Sequence, residues 1–383
     1  MPWLSLVPFQ PFNCCQFSFS CDRHKNLRMT TSHDDQYHNK TIYGIKNDAS
    51  RYAWAGYFLF VIISSFVGDT TILIASFKYK AFNLHKIIVV IIQHIAFCDL
   101  LVTVTDVLPR FVSLISNEWV FGSSVCYLVI YIGYYFNGVG QLLICNMTTS
   151  KLLLLKYPLQ CRTTSQKKAH MFCVACWLIA GVIPFTGLLV TVVDGDYAYF
   201  SFRIYHCDSG FTSDIWRWLK PLGAGLLFLI SNGVVVGTTI YLLIIAKRVA
   251  RRGPESLKWQ GIMTTILTAT VYCISVVPSA VYQVGESVVT VDDKSRSFFY
   301  TSFRRLSCSF IYLNTISNFY IYSLSVHSFR DFIRSKIQRT QSRMFTSVGT
   351  SANHGIIELY YEIQFKIKII SEKISEDFHT FLG

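Results

Sequence analysis

Apolar residues fall into seven long stretches of the chain, separated by shorter polar segments. Each stretch has 20 or more residues, and about 20 residues of α-helix cross the hydrocarbon core of a bilayer. The stretches lack the alternating pattern of barrel strands, so helices are the structure that satisfies their backbone groups in lipid. The pattern predicts an all-α membrane protein, a seven-transmembrane helix bundle with spans at 54–77, 87–109, 123–150, 169–193, 221–246, 261–285 and 306–327.

The composition agrees with a membrane protein. Of the 383 residues, 52% are apolar and 15% are charged, whereas soluble domains carry about 25% charged residues. These values argue against a soluble enzyme and against a disordered chain. The sequence has no metalloprotease, nucleophile-elbow or P-loop motif, and its span histidines are scattered over three helices. We therefore expect no enzymatic activity and no metal site built from His, Cys or acidic ligands.

The formal net charge of +13 has a topological explanation. The first, third and fifth loops hold 13 basic residues and one acidic residue, whereas the second, fourth and sixth loops hold eight of each. Basic loops stay on the cytoplasmic side of a membrane. We therefore expect a multi-pass protein of the plasma membrane with an extracellular amino terminus and a cytoplasmic carboxyl terminus. With the basic excess explained in this way, nucleic acid is not an expected partner.

Residues 1–53 precede the first span and are predicted to form an extracellular amino-terminal tail. The seven-span bundle is predicted to occupy 54–327. The tail contains the sequon Asn39-Lys40-Thr41, which is an acceptor for N-linked glycans on the outer side of the membrane. Asn39 is therefore a predicted glycosylation site.

Two of the cysteines lie where oxidation is expected. Cys126 is at the extracellular start of the third span, and Cys207 is in the long second extracellular loop. Disulfides form in such oxidising locations. A bond between the two would tie the loop over the mouth of the bundle, and the alternative is a pair of unrelated free thiols.

Short motifs stand in a fixed order along residues 50–340. They are Gly68-Asp69, Ile95-Ala96-Phe97-Cys98-Asp99, Trp119 to Cys126, Trp177 with Pro184, Tyr241, Pro278, Asn318-Phe319-Tyr320-Ile321-Tyr322 and Phe329-Arg330. In this order they resemble the landmarks of the rhodopsin-like (class A) G-protein-coupled receptors, of which the chain is identified as a divergent member. The resemblance implies a short cytoplasmic eighth helix at 328–340, followed by a cytoplasmic carboxyl-terminal tail at 341–383.

The parts that resemble the family's switching elements depart from its pattern. Ser150-Lys151-Leu152 stands where the family has Asp-Arg-Tyr, and Lys258 stands where the family has the acid that pairs with this arginine. Two lysines cannot form an ion pair and repel each other. The resemblance implies that Lys151, Tyr241 and Tyr322 contact the heterotrimeric G protein.

A polar cluster is expected in the middle of the bundle. Charged side chains in membrane spans are costly and mark functional positions, and two occur in the first two spans. The resemblance implies that Asp69, Asp99, Asn314 and Asn318 converge there and bind a sodium ion. A hydrogen-bonded structural hub without an ion is an equally open alternative, and no other cofactor is expected.

The ligand pocket carries few signals. Amine receptors of the family have an aspartate where this chain has Gly133, and opsins have a retinal-binding lysine where it has Tyr312. The resemblance therefore implies a peptide or a small polar molecule, including one with an acidic group, as the extracellular ligand in preference to an amine or retinal. The candidate ligand-binding residues are Tyr134, Asn137, Tyr282, Gln283, Arg304 and Arg305.

These observations predict a rhodopsin-like G-protein-coupled receptor in the lipid bilayer. It binds an extracellular ligand and signals through a heterotrimeric G protein. Because Lys151 replaces the arginine that G proteins contact, the main alternative is a non-signalling decoy or scavenger receptor with seven helices. A membrane transporter ranks below both, since the two halves of the sequence show no internal repeat.

Overall fold

Eight helices and one small sheet make up the described part of the chain. The structure is a computed structural model that describes residues 48–77, 84–157, 159, 165–194, 197–201, 206–210, 229–245, 247, 257–288 and 298–347. In chain order the helices are α1 (Asp48–Phe77), α2 (Lys86–Ser116), α3 (Gly122–Lys156), α4 (Gln166–Asp194), α5 (Leu229–Ile245), α6 (Leu257–Val288), α7 (Phe298–Ser325) and α8 (His327–Ser347). The antiparallel strands β1 (Tyr197–Ser201) and β2 (His206–Gly210) lie between α4 and α5.

The first seven helices form the seven-transmembrane bundle. Five of them contain stretches long and apolar enough to cross a bilayer, and α5 is an apolar helix of 17 described residues. The remaining helix, α7, is less apolar because it turns hydroxyl and amide side chains such as Ser307, Thr315 and Asn318 into the bundle. In a bundle, such groups find hydrogen-bond partners on neighbouring helices rather than facing lipid.

Helix α3 is the central element. It packs against α2, α4 and α6 and against both strands of the sheet, while α7 packs against α6 and α1. Its Val139, Leu143, Ile144 and Met147 are fully buried in the common core. Large apolar side chains on the outside of α1 and α4 are exposed, as expected for helices that face lipid.

A π-helical turn at Thr103–Val107 interrupts α2. In this turn the backbone N–H of Leu108 donates to the carbonyl of Thr103, five residues earlier. The cause is Pro109, which has no N–H and whose ring opposes the carbonyl of the residue four positions before it. The helix then continues to Ser116 and stops at Asn117, which adopts the left-handed conformation that asparagine tolerates.

Close packing joins α1 to α7. A Cβ atom placed on Gly68 would lie 2.7 Å from the Cβ of Phe319, so only glycine fits at this contact. Phe319 stands where the sequence motif of α7 is expected to have a proline. The aromatic side chain therefore lies against a position of α1 that has no side chain.

The predicted helix bundle is confirmed, and several of its boundaries differ from the prediction. Helix α2 runs seven residues beyond the predicted end at 109, because Pro109 is accommodated by the π-turn, and α3 continues to Lys156 instead of 150. The eighth helix spans His327–Ser347 rather than 328–340. The sheet is a further departure from an all-α fold. Residues 1–47 and 348–383, with most of both predicted tails, lie outside the described residues.

Candidate functional site

A disulfide joins α3 to the sheet. Cys126 lies in the first turns of α3, Cys207 lies on β2 opposite Phe200 of β1, and their sulfur atoms are 2.03 Å apart. Both cysteines are almost completely buried. The bond fixes the segment between α4 and α5 to one end of the bundle, here called the disulfide end.

A buried ion pair lies between α2 and α7 near the disulfide end. The Nε of Arg110 donates to Oδ1 of Asp106 at 2.9 Å, and its Nη2 donates to Oδ2 at 3.4 Å. The two side chains are one helical turn apart on α2 and expose 7% and 4% of their surface. Each charge is therefore neutralised within its own helix, as burial requires.

Tyr312 of α7 completes this cluster. Its hydroxyl donates to Oδ2 of Asp106 at 2.6 Å, and its ring centroid is 5.4 Å from the guanidinium carbon of Arg110. The ring also makes an edge contact with Phe58 of α1, and the hydroxyl of the neighbouring Tyr57 donates to the carbonyl of Ser309. The ion pair thus connects three helices and is held in one orientation.

The structure corrects one inference about the pocket. Gly133 was interpreted as leaving no acid at the position where amine receptors carry one. A Cβ atom built on Gly133 would lie 4.0 Å from Oδ2 of Asp106, and no other atom lies nearer. A carboxylate from α2 is therefore present beside Gly133. The sequence could not reveal this, because the proximity arises from the packing of α2 against α3 rather than from spacing along the chain.

The predicted ligand-binding residues occupy different environments. Tyr134 exposes 40% of its surface, and Asn137, one turn further along α3, is half-buried. Arg305 is half-buried on α7, and its carbonyl accepts a hydrogen bond from Ser309. The side chains of Tyr282, Gln283 and Arg304 lie outside the part of the chain that the structure describes, and so does Asn39.

A second buried cluster lies deeper in the bundle, where α1, α2 and α7 meet. Asp99 accepts hydrogen bonds from Asn318, whose Nδ2 is 2.8 Å from Oδ2, and from Thr315. Asp69 accepts a hydrogen bond of 2.6 Å from Ser65, which in turn accepts one from Thr103.

The second cluster leaves several acceptor atoms without donors. Oδ1 of Asp69 and Oδ1 of Asn318 are buried without a hydrogen-bond partner among the described residues. The same holds for Oδ1 of Asn314, whose side chain is not among the described contacts of the two carboxylates. Three of the four predicted residues therefore form one group with Ser65, Thr103 and Thr315, and this group carries two carboxylates.

The other end of the bundle holds a buried lysine. Lys151, on the last turns of α3, exposes only 7% of its surface, and no acidic side chain among the described residues pairs with it. Tyr322 of α7 is 1% exposed, whereas Tyr241 of α5 is 45% exposed. The three residues predicted to contact a G protein therefore do not share one environment. The side chain of Lys258 is not described.

His85 precedes α2 at the end of the bundle that carries Lys151. Its Nδ1 accepts a hydrogen bond from the backbone N–H of Ile87 and so caps the helix. Partial burial lowers the pKa of His85, and the positive charges of Lys151 and Lys86 lower it further. Lys151 is thus close enough to α2 to influence a histidine there.

Two histidines that appeared scattered in the sequence are in contact. Nε2 of His94 on α2 is 3.2 Å from Nδ1 of His170 on α4, and the indole N–H of Trp177 donates to Nδ1 of His94. The Trp177 bond makes that nitrogen an acceptor, so Nε2 carries the proton and is not available as a metal ligand. Within the described residues, no group of three or more His, Cys, Asp or Glu side chains could hold a metal ion.

Comparison with known families agrees with the fold and the motifs. The family described as 7 transmembrane receptor (rhodopsin family) matches residues 68–322, about two thirds of the chain. No curated protein sequence matches the chain. The family match begins at Gly68 in the second half of α1, beside the close contact with Phe319, and ends at Tyr322 near the end of α7. The chain belongs to the rhodopsin family of seven-transmembrane receptors.

Proposed function

We propose that the protein is a plasma-membrane receptor that binds an extracellular ligand at the disulfide end and activates a heterotrimeric G protein at the opposite end. The observation that carries this proposal is Lys151. A cation buried to 93% at the end of α3 is costly, and in the described part of the chain it has no acidic partner. A group of this kind is expected to serve an interaction with another molecule. The protein acts by binding and has no catalytic role.

The orientation in the membrane follows from the charged loops. The loops with 13 basic residues are those at the Lys151 end, so this end is cytoplasmic and the disulfide end is extracellular.

Epitope tags at the two termini test the proposal on intact cells. The amino-terminal tag is expected to be stained without permeabilisation and the carboxyl-terminal tag only after it. Asn39→Gln is expected to remove one glycan, and staining of the carboxyl-terminal tag on intact cells contradicts the topology.

Signalling is expected to pass through Lys151. When a receptor bundle opens at its cytoplasmic end, a cation at this position becomes available to an inserted helix of the partner. Lysine keeps the charge of the family's arginine but lacks its planar fork of five donors, so its contact is weaker and less directional. We expect weak signalling that does not require a ligand.

The experiment compares three forms at equal surface expression in cells that carry reporters for several G proteins. Lys151→Arg is expected to raise the output and Lys151→Ala to abolish it. Lys168→Gln, an exposed change at the same end of the bundle, serves as the control and is expected to leave the output unchanged. Identical background output from all forms favours the second candidate, a decoy receptor that binds ligand without signalling.

A small polar molecule or a peptide with an acidic group is the ligand class that the charges favour. Arg305 lies on α7 near the disulfide end, and the only acid beside Gly133 among the described residues is already paired with Arg110. In receptor assays with an acidic ligand, Arg304→Gln and Arg305→Gln are expected to lower potency at unchanged expression. Unchanged potency in both variants removes these two residues from the binding site.

The deeper cluster fits a sodium ion. Hard cations prefer oxygen ligands, and Asp69, Asp99 and Asn318 supply carboxylate and amide oxygens, two of which have no described donor. These residues would hold the ion, which would offset the repulsion of the two carboxylates. The purified receptor is therefore expected to be more heat-stable in sodium chloride than in choline chloride at equal ionic strength. The difference is expected to shrink in Asp69→Asn, and equal stability in both salts contradicts the proposal.

A further inference from the structure

We propose that Arg110 binds the acidic group of the receptor's ligand through the edge of its guanidinium that Asp106 leaves open. The proposal deepens the receptor function given above and rests on it. It places the main charged contact of the ligand on α2, inside the bundle, rather than on the arginines at the start of α7.

The geometry of the ion pair leaves half of the guanidinium available. A guanidinium group is planar and has two forks of donors, one formed by Nε and Nη2 and the other by Nη1 and Nη2. Asp106 occupies the first fork, with Oδ1 on Nε and Oδ2 on Nη2. Nη1 makes no described hydrogen bond, and Nη2 has a second N–H on the side of Nη1. A carboxylate or phosphate can therefore bind there in the bidentate manner that arginine favours.

The surroundings hold this fork in place before a ligand arrives. Arg110 is 93% buried, so its charge acts in a medium of low dielectric constant. The ring of Tyr312 packs against the guanidinium, and the same residue's hydroxyl donates to Asp106. The bond from Tyr312 and the ion pair with Arg110 together hold Asp106 in one position. A preorganised donor loses little conformational entropy on binding.

Access to the cluster comes from the disulfide end. Gly133 presents no side chain to Asp106, and a Cβ atom there would make an ordinary van der Waals contact of 4.0 Å with the carboxylate, so the absence of a side chain leaves room for a small group beside the ion pair. Arg305 lies seven residues before Tyr312 on α7, and this spacing puts both residues on the same face of the helix. An acidic ligand that enters past Arg305 would therefore reach Arg110 along this face of α7.

An anion fits the ion pair better than an amine. An amine would have to displace Arg110 from Asp106, and Arg110 is attached to the same helix one turn away. Its effective concentration at the carboxylate is consequently high. An anion displaces nothing, because it uses the second fork.

The test measures thermal unfolding of the full-length receptor, purified in lipid nanodiscs, with three probes of similar shape. These probes are benzoate, benzamide and benzylamine at equal concentration and ionic strength. A compound that binds only the folded state raises the unfolding temperature. Benzoate is expected to raise it, and the neutral and cationic probes are not.

Three variants then assign the effect to Arg110. Arg110→Gln is expected to abolish the benzoate shift. Asp106→Asn is expected to increase the shift, because it removes the internal competitor and leaves the cation in place. The double variant Asp106→Asn with Arg110→Gln removes both charges, is expected to fold, and should show no shift. Lys168→Gln controls for a general loss of positive charge and is expected to retain the full shift.

The benzoate shift of Asp106→Asn decides whether Arg110 binds the acidic group. A benzoate shift in Asp106→Asn that is no larger than in the double variant overturns the proposal. A benzylamine shift in the unmodified receptor that disappears in Asp106→Asn also overturns it and indicates an amine site. Since the measurement needs no G protein, a receptor that signals in the reporter assay but ignores benzoate rejects this inference alone.

Discussion

The bundle buries two cations, and their environments differ. Arg110 near the disulfide end has an acid one turn away, a tyrosine hydroxyl on that acid and an aromatic ring beneath its guanidinium. Lys151 near the opposite end is equally buried, and the described part of the chain supplies it with no acid. The difference teaches that burial alone does not reveal the role of a charge. Arg110 is neutralised inside the bundle, whereas Lys151, which has no acidic partner among the described residues, is expected to reduce stability and to serve an interaction with another molecule.

The largest expected effect comes from breaking the pair at the disulfide end. Arg110→Gln leaves Asp106 buried without its cation, which typically costs about 3–5 kcal/mol. The double change of Asp106→Asn with Arg110→Gln removes both charges and should recover most of that loss. Unfolding temperatures of the purified receptor measure both effects. A single variant as stable as the unmodified receptor would show that Asp106 does not need its cation in the folded state.

The disulfide should contribute nearly as much at the same end. Cys126→Ala removes the bond between α3 and β2, and loss of a native disulfide typically costs about 2–5 kcal/mol. We expect lower surface expression and a lower unfolding temperature, and Cys207→Ala should give the same result. Cys173→Ala, which changes a buried cysteine of α4 that is not part of the disulfide, is the matched control. Mass spectrometry that finds Cys126 and Cys207 as free thiols in surface-expressed receptor would contradict the assignment.

At the opposite end, replacement of the buried cation should stabilise the receptor instead of destabilising it. Lys151→Leu removes a buried charge that has no described acidic partner, so the variant is expected to gain about 1–3 kcal/mol of stability. The same change is expected to abolish signalling, which is the usual exchange of stability for function at an active position. If Lys151→Leu is as destabilising as Arg110→Gln, the two cations have similar roles and the comparison fails.

The sequence predicted the fold and identified one of the two buried cations, Lys151. The lengths of the apolar stretches and the order of the motifs predicted the bundle, because span length and kink residues act locally along the chain. Lys151 was found for the same reason, since it lies a fixed distance from Pro158. Asp106 and Arg110 were missed as a site. Their importance depends on contacts with Tyr312 and Gly133, which lie on other helices, and no spacing rule encodes these contacts.

Boundary errors have equally specific causes. The second span was predicted to end at residue 109, whereas a π-helical turn accommodates Pro109 and the helix continues to Ser116. The seventh span was predicted to begin at 306, eight residues after the start of α7, because Arg304, Arg305 and several serines precede the apolar residues. The strands β1 and β2 have no strong alternating pattern, and they are held to the bundle by the disulfide.

The smallest expected effect is a shift in the titration of His85, which reports on the position of Lys151. Partial burial and then the charges of Lys151 and Lys86 lower the pKa of His85 below its usual value of 6.5. The folded receptor thus favours the neutral imidazole, so the contribution of His85 to stability is present above pH 6.5 and decreases as the pH falls below it.

Removal of the charge at Lys151 should bring the pKa of His85 closer to 6.5. In an NMR titration of histidine-labelled receptor, with the signal assigned by its loss in His85→Gln, we expect Lys151→Gln to raise the midpoint. Lys86→Gln should raise it less, because Lys86 has the weaker influence, and Lys168→Gln should leave it unchanged. An unchanged midpoint in Lys151→Gln would mean that the lysine does not lie over the start of α2. Lys151 would then not occupy the buried position on which the comparison with Arg110 rests.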